Sequence, residues 1–200
     1  MEKELGFALI STGIYLIGAI PYWKDVFAGR TIPHIFTYII WCILVGFNVF
    51  VIWKNHEYYA LIPNLLMLIS LTFATLYGIG RMRLLSINWF DYICLGLWFW
   101  LIFYWIYSWN ILNTIIFTAI IDFVAFLPTF KKWWLQPWTE SILIYFMSAV
   151  GQIFTLLSLS SFQNMENMIF WWYLFFANLI FFIMVAFRRY YLKGWNSIFD

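Results

Sequence analysis

Seven long apolar stretches dominate this 200-residue chain and decide what it can fold into. Each stretch is close to the ~20 residues that an α-helix needs to cross ~30 Å of hydrocarbon. Closed barrels also span membranes, but their strands alternate polar with apolar residues, which these stretches do not. The sequence therefore predicts an all-α, polytopic membrane protein with seven transmembrane helices near residues 5–23, 32–53, 58–79, 89–107, 111–130, 139–160 and 168–187.

The Lys and Arg residues are distributed unevenly among the connections between these stretches. The N-terminal segment and the even-numbered loops contain only Lys3 and Lys54. The odd-numbered loops and the C-terminal segment contain the other nine, which are Lys24, Arg30, Arg81, Arg83, Lys131, Lys132, Arg188, Arg189 and Lys193. Because basic residues concentrate in short cytoplasmic loops, the N-terminus is predicted outside and the C-terminus in the cytosol. An odd number of spans fits that orientation, and we expect an integral protein of a bacterial inner (plasma) membrane.

Composition narrows the function classes further. With 65% hydrophobic and 10% charged residues, a separate water-soluble domain is not expected. The net charge of +2 follows from the topology and gives no reason to expect a nucleic-acid partner. Cys42 and Cys94 both lie within predicted spans, so we expect packing roles for them and no disulfide. The first apolar stretch has neither a cationic leader nor a small-residue cleavage site, and we expect it to be a retained helix.

Two segments of the chain share a pattern at a constant offset of 107 residues, namely 14–41 and 121–148. Aligned residues include Pro21 with Pro128, Lys24 with Lys131, Ile35 with Ile142 and Tyr38 with Tyr145. Both segments run from the outside to the cytosol, so they predict two parallel three-helix repeats related by an axis along the membrane normal. The expected division is 1–83 for the first bundle, 84–109 for a linker helix and 110–200 for the second bundle. Chance similarity between two apolar segments is the alternative explanation.

The aligned prolines, Pro21 and Pro128, stand near the cytosolic ends of the first and fifth stretches. A proline inside a helix removes one backbone hydrogen bond and clashes with the preceding turn. Two prolines at the same depth of related helices are therefore candidate hinges for a cytoplasmic gate. A fixed kink without motion is the competing interpretation.

The seven-span pattern, the outside N-terminus and a proline that ends helices 1 and 5 just before a basic loop resemble the PQ-loop/SWEET superfamily of small-solute transporters. The resemblance covers nearly the whole chain through its topology and implies a SWEET-like fold of three, one and three helices. The family's Pro-Gln pair reads Pro21-Tyr22 and Pro128-Thr129 here, so the gating role of the glutamines does not carry over. Residues 29–41 and 126–141 also look like a group of uncharacterised bacterial membrane proteins of this general kind.

Asp122 is the one ionisable residue that the sequence places deep within a span. It lies six positions before Pro128, about 9 Å along the helix axis. Ionisable groups inside a bilayer are costly and are functional candidates for that reason. We expect Asp122 to face a central cavity, near Asn178 and Gln152, and to couple transport to protons. The resemblance allows this role, since some PQ-loop carriers are proton-coupled through an aspartate. A purely structural hydrogen bond to a neighbouring helix is the alternative.

Other deep polar and aromatic residues are candidates for binding a solute. The resemblance implies an asparagine at mid-depth in helices 3 and 7, which Asn178 matches in helix 7. In helix 3, Asn64 is nearer the outer end, and Thr72 is the alternative at the equivalent depth. Trp41 and Tyr145 are deep aromatic residues that suit a binding wall. Interhelical hydrogen bonding is the competing role for the amides and hydroxyls.

No pattern typical of catalysis or metal binding is present, and we expect neither an enzyme nor a cofactor. His34 and His56 lie near opposite membrane faces, and no phosphate loop, HExxH motif or nucleophile elbow occurs.

The sequence thus favours alternating-access transport of a small, mainly uncharged solute such as a sugar or a heterocyclic metabolite, with proton coupling as an option. The alternatives are a non-transporting ligand receptor or assembly factor on the same fold, and an enzyme acting on lipids. The expected partners are the solute, the lipid bilayer and, as an option, further copies of the chain.

Overall fold

A computed structural model describes residues 2–31, 33, 35–80, 89–108, 111–139, 141–159 and 165–193. Over these residues the chain forms seven α-helices and no strand, which confirms the predicted all-α class. The helices are α1 (Glu2–Phe27), α2 (Ile35–Lys54), α3 (Tyr58–Gly80), α4 (Trp89–Ser108), α5 (Ile111–Leu135), α6 (Ile142–Leu157) and α7 (Met165–Lys193). His34, Arg81, Arg83 and the predicted bundle boundaries near 83 and 109 lie outside the described residues.

Four of the helices are long and apolar enough to cross a membrane, judged over the described residues. They are α1, α2, α3 and the segment Trp171–Lys193 of α7. Two shorter apolar helical segments, Trp89–Tyr104 and Ile142–Leu157, belong to α4 and α6. Exposed leucine, isoleucine and phenylalanine side chains cover the outward faces of α1, α3 and α7. A helical membrane protein accounts for such surfaces, since lipid and not water would surround them.

The two aligned prolines do not end their helices. α1 continues past Pro21 to Phe27, and α5 continues past Pro128 to Leu135. A proline removes one hydrogen bond but leaves the bonds of the following turns in place. Buried side chains beyond each proline, Val26 on α1 and Trp133 on α5, anchor the continuing turns in the core. The basic segments that follow the prolines are therefore helical at their start.

The helices pack in two similar groups. The first group is α1, α2 and α3, and the second group is α5, α6 and α7. α3 packs against both α1 and α2, and α7 packs against both α5 and α6. Between the groups, α1 packs against α6 and α2 packs against α5, while α4 lies against α5. The main hydrophobic core runs through these contacts and includes buried residues from all seven helices.

The contact between α1 and α6 is close because both helices present glycine there. A Cβ on Gly18 would lie 2.8 Å from the Cβ of Met147, and a Cβ on Gly151 would lie 2.9 Å from the Tyr15 ring. Small residues at such contacts let two helix backbones approach, as is common in membrane helix pairs. The α2–α5 contact uses a hydroxyl instead. Thr37 Oγ1 donates to the Ala125 carbonyl oxygen at 2.8 Å.

Candidate functional site

A cavity of about 400 Å³ lies between the two helix groups. Residues of α1, α2, α3, α5, α6 and α7 line it, whereas no described residue of α4 does. Its volume falls within the range of small-ligand pockets, roughly 300–1,000 Å³. Most of the lining is apolar or aromatic, and it includes a few polar side chains, among them Asp122 and Asn178. This is the usual character of a small-molecule site.

Asp122 lies in the lining of this cavity and is only 3% exposed. The Tyr173 hydroxyl on α7 donates a hydrogen bond of 2.9 Å to Asp122 Oδ2. The indole of Trp41 on α2 also approaches the carboxyl group, although its Nε1 makes no hydrogen bond of good geometry to any described residue. Desolvation of a carboxylate is costly, so the hydrogen bond from Tyr173 offsets part of that cost. Tyr173 was not among the residues singled out from the sequence.

Two predicted aromatic residues form walls of the cavity. Trp41 packs against Phe126 with ring centroids 4.7 Å apart, in an edge-to-face arrangement. Tyr145 packs against Trp133 at 4.6 Å, also edge to face. Both predicted residues are buried and both line the cavity. The walls are therefore held rigidly by ring contacts, which favour these geometries over face-to-face stacking.

Asn178 lines the cavity, as the resemblance implied for helix 7. Its Nδ2 donates to the Leu174 carbonyl oxygen of its own helix at 2.8 Å. Its carboxamide oxygen is an acceptor with capacity for a ligand donor. Asp122 and Asn178 thus line one cavity, but the hydrogen-bond donor to Asp122 is Tyr173.

The remaining predicted binding residues lie outside the cavity lining, within the described part of the chain. Thr72 is exposed, and its hydroxyl donates to the Leu68 carbonyl oxygen at 2.8 Å. Asn64 is buried and accepts a hydrogen bond of 3.3 Å from Asn48 on α2, which is the structural role considered as its alternative. Gln152 is 1% exposed, and both polar atoms of its amide lack a hydrogen-bond partner among the described residues.

The predicted hinge prolines lie close to the site. Pro21 stands between Ile20 and Tyr22, which both line the cavity. Pro128 is buried on α5, two residues after Phe126 of the lining. Rearrangement at either proline would change the cavity wall directly.

The lining residues of the two helix groups correspond at the offset of 107. Seven lining residues belong to α5, α6 and α7. For six of them, all except Ile144, the residue 107 positions earlier in the chain also lines the cavity. The pairs are Tyr15 and Asp122, Ala19 and Phe126, Tyr38 and Tyr145, Trp41 and Ser148, Met67 and Leu174, and Leu71 and Asn178. The correspondence extends into α3 and α7, beyond the segments whose similarity is visible in the sequence.

The cavity is not equally open toward the two groups. It widens into a crevice between α1 and α3, where the lining residues Ile20, Phe27 and Phe73 are more than half exposed. In the second group, bulky aromatic residues fill the corresponding space. Residues of the first group and their counterparts are Ala19 and Phe126, Val26 and Trp133, and Ala74 and Phe181. The smaller side chains of the first group account for the crevice.

Along α1, the cavity lining begins at Tyr15, and α1 is hydrogen-bonded to α6 one turn closer to its N-terminus. Ser11 Oγ lies 2.7 Å from Thr155 Oγ1 and donates to the Gly151 carbonyl oxygen at 3.0 Å. Toward the other end of α1, the lining includes Lys24 and ends at Phe27. Lys24 follows Tyr15 by nine residues, which is about 13 Å along the helix.

Comparison with protein-family models, curated proteins and solved structures finds no match for this chain. Among the described residues, no three His, Cys, Asp or Glu side chains come together as a metal site would require.

Proposed function

We propose that this protein is a transporter that moves a small, mainly uncharged solute across a membrane by alternating access. In this proposal all seven helices span the bilayer, with the N-terminus outside, and form two three-helix repeats joined by α4, as in the PQ-loop/SWEET superfamily. The single observation that carries it is the cavity between the two helix groups, whose lining residues pair at one constant offset. A solute site at a repeat interface is the recurring arrangement of secondary transporters.

The packing of the helices supports the repeat. If each helix of the first group is replaced by its counterpart in the second group and the reverse, the contact between α1 and α6 becomes the contact between α5 and α2. In the same way, the contacts of α3 with α1 and α2 become the contacts of α7 with α5 and α6. Each of these contacts is present. A two-fold axis along the membrane normal would generate this pattern, whereas a chance similarity between apolar segments gives no reason for it.

The state of the cavity fits one step of an alternating-access cycle. Along α1, its lining begins at Tyr15, one turn after the contact of Ser11 with Thr155, and extends past Lys24, which the charge distribution assigns to the cytosolic side. Asp122 lies between these ends, so a rocking motion of one helix group against the other would change its access to the two sides. Proton coupling through Asp122 is part of the proposal on this ground.

Reconstitution into liposomes tests the proposal. Thermal-shift screening of the purified protein against sugars and heterocyclic metabolites would select a binding solute, and uptake of that solute in labelled form would then be measured. We expect saturable uptake that stops when the cavity is filled by Ser148→Trp and persists in Ile10→Trp, where a bulky side chain is added to an exposed face of α1. Binding without uptake would contradict transport and support the receptor alternative.

A further inference from the structure

We propose that the natural ligand of the cavity is a lipophilic amine, with its ammonium group at Asp122 and its apolar tail in the crevice between α1 and α3. This inference rests on the proposed function, because it names the class of solute that the cavity would carry. The body of such a solute is uncharged, and only one end bears a charge.

The charge of the ligand head follows from the surroundings of Asp122. The carboxyl group is buried in the cavity wall and accepts one hydrogen bond, from Tyr173. No salt bridge to it is formed by any Lys or Arg of the described ranges, and the lining cation, Lys24, lies nine residues, or about 13 Å along α1, from Tyr15 of the lining. A buried carboxylate requires a paired countercharge or a proton. A ligand ammonium would supply the countercharge.

Aromatic rings in the cavity lining strengthen this assignment. Trp41, Tyr38 and Tyr145 line the cavity, and Trp41 packs edge to face against both Tyr38, at 5.3 Å, and Phe126, at 4.7 Å. Ring faces attract an ammonium group within about 6 Å of their centroids. A sugar would instead require many converging donors and acceptors, but polar groups of the lining are already bonded to one another. The Tyr22 and Tyr38 hydroxyls lie 2.6 Å apart, and Trp23 Nε1 donates to Ser70 Oγ. The geometry therefore favours an amine over a sugar.

The position of the ligand tail follows from the crevice, which the cavity has between α1 and α3 but not in the second helix group. The crevice rim consists of apolar side chains, including Leu16, Ile20 and Ile69, that face outward from the helix bundle. Ala19 stands where the second group has Phe126, so the first group leaves room for an inserted chain. Trp23 Nε1 donates to Ser70 Oγ at 3.0 Å between α1 and α3 and forms one edge of the crevice. An aryl or alkyl tail there would remain in contact with apolar atoms along its length.

Calorimetric binding of three probes to the purified full-length protein in detergent tests the head group. Phenylbutylamine, phenylbutanol and phenylbutyrate share one tail and differ in charge. We expect the amine to bind at least about tenfold more tightly than the alcohol, and the acid to bind most weakly. Asp122→Asn should abolish the preference for the amine, whereas Asp91→Asn, a buried aspartate on α4 away from the cavity, should retain it.

A second comparison tests the tail. In the unmodified protein, lengthening the linker from benzylamine to phenylhexylamine should tighten binding a few-fold per methylene until the crevice is filled. Ala19→Phe introduces the side chain found at the paired position and should remove this gain. Ile10→Phe adds the same ring to an exposed face of α1 and should leave the gain unchanged.

The outcomes separate this inference from the proposed function. Equal binding of phenylbutylamine and phenylbutanol, or a chain-length gain that survives Ala19→Phe, would overturn the amine ligand. If Asp122→Asn does not fold, the comparison of the three probes in the unmodified protein decides the head group alone. Binding in detergent requires no transport, so amine preference without uptake into liposomes would overturn transport and leave this inference intact.

Discussion

Thr37 on α2 donates a hydrogen bond of 2.8 Å to the Ala125 carbonyl oxygen on α5. The positions displaced from these two by 107 residues are Ile144 on α6 and Gly18 on α1. They also meet, because a Cβ on Gly18 would lie 3.3 Å from the Cα of Ile144. One geometric relationship between two helices thus occurs twice, once held by a hydroxyl and once by close backbone packing.

The α2–α5 contact and the α1–α6 contact differ in chemistry, and they should therefore respond differently when the helices move. The Thr37 bond can be broken and made without moving bulky atoms, whereas the Gly18 contact depends on the absence of a side chain. We therefore expect the α1–α6 contact to persist as a pivot, and the α2–α5 contact to change, when one helix group rocks against the other. Substitutions at Gly18 should affect stability as well as transport.

Gly18→Ala should destabilise the protein by about 1–3 kcal/mol, as overpacking of a close contact does. The new Cβ would lie 2.8 Å from the Cβ of Met147, next to the α6 backbone, so rotation of a side chain cannot relieve the clash. The free energy of unfolding in detergent, measured by denaturant titration, would report the change.

Gly13→Ala is the matched control on the same helix. A Cβ on Gly13 meets no atom within 4 Å, so the substitution should be neutral or should stabilise α1 by up to ~1 kcal/mol through helix propensity. Equal effects of the two substitutions would contradict the close α1–α6 packing.

Asp122→Asn should make uptake insensitive to pH in the reconstituted protein. The variant keeps the shape of the side chain and its ability to accept from Tyr173, but it cannot exchange a proton. Initial uptake rates across a range of external pH would be compared with those of Asp91→Asn, in which a buried aspartate outside the cavity lining is changed. Unchanged pH dependence in Asp122→Asn would rule out coupling through this carboxyl group and leave it a structural role.

Sequence patterns predicted the helices and several residues of the site because apolar runs and depth along a span are one-dimensional properties. Asp122, Asn178, Trp41 and Tyr145 all line the cavity, as expected from depth and chemistry. Tyr173 was missed because nothing in its local sequence distinguishes it from the other interfacial aromatic residues. Its role arises from contact with α5, 51 residues away in the chain.

Depth alone does not determine which way a side chain faces. Thr72 lies at a suitable depth but not in the cavity lining. Side chains of consecutive helical residues point in directions about 100° apart, and the preceding residue, Leu71, faces the cavity instead. Leu71 is also the residue paired with Asn178 at the offset of 107. Extending that offset into the third and seventh helices would have selected Leu71 from the sequence. The similarity there is too low to be noticed without the structure.

The orientation predicted from the basic residues can be tested with single cysteines. In a background with Cys42 and Cys94 replaced, Ala28→Cys and His56→Cys place exposed thiols at opposite ends of α2. Because the loop containing Ala28 is assigned to the cytosol, a membrane-impermeant maleimide should label His56→Cys in intact cells, and Ala28→Cys only after lysis. The reverse pattern would invert the topology, and an active alkaline phosphatase fusion at the C-terminus would agree with that inversion.

Gln152 is the residue at which stability and transport should respond in opposite directions. Its amide is fully buried without a partner among the described residues, and such a group costs about 1–3 kcal/mol. It lies one helical turn beyond Ser148 of the lining, on the same side of α6 and toward the hydrogen bond between Ser11 and Gly151. When the cavity opens at that end, the amide would be exposed to the solute path.

Gln152→Met keeps the side-chain volume and removes the buried polar atoms, so the melting temperature should rise while the uptake rate falls. Asn64→Leu, which breaks the bond from Asn48 away from the cavity, should lower the melting temperature instead. A Gln152→Met protein that is more stable and transports at the original rate would show that this amide has no part in the solute path.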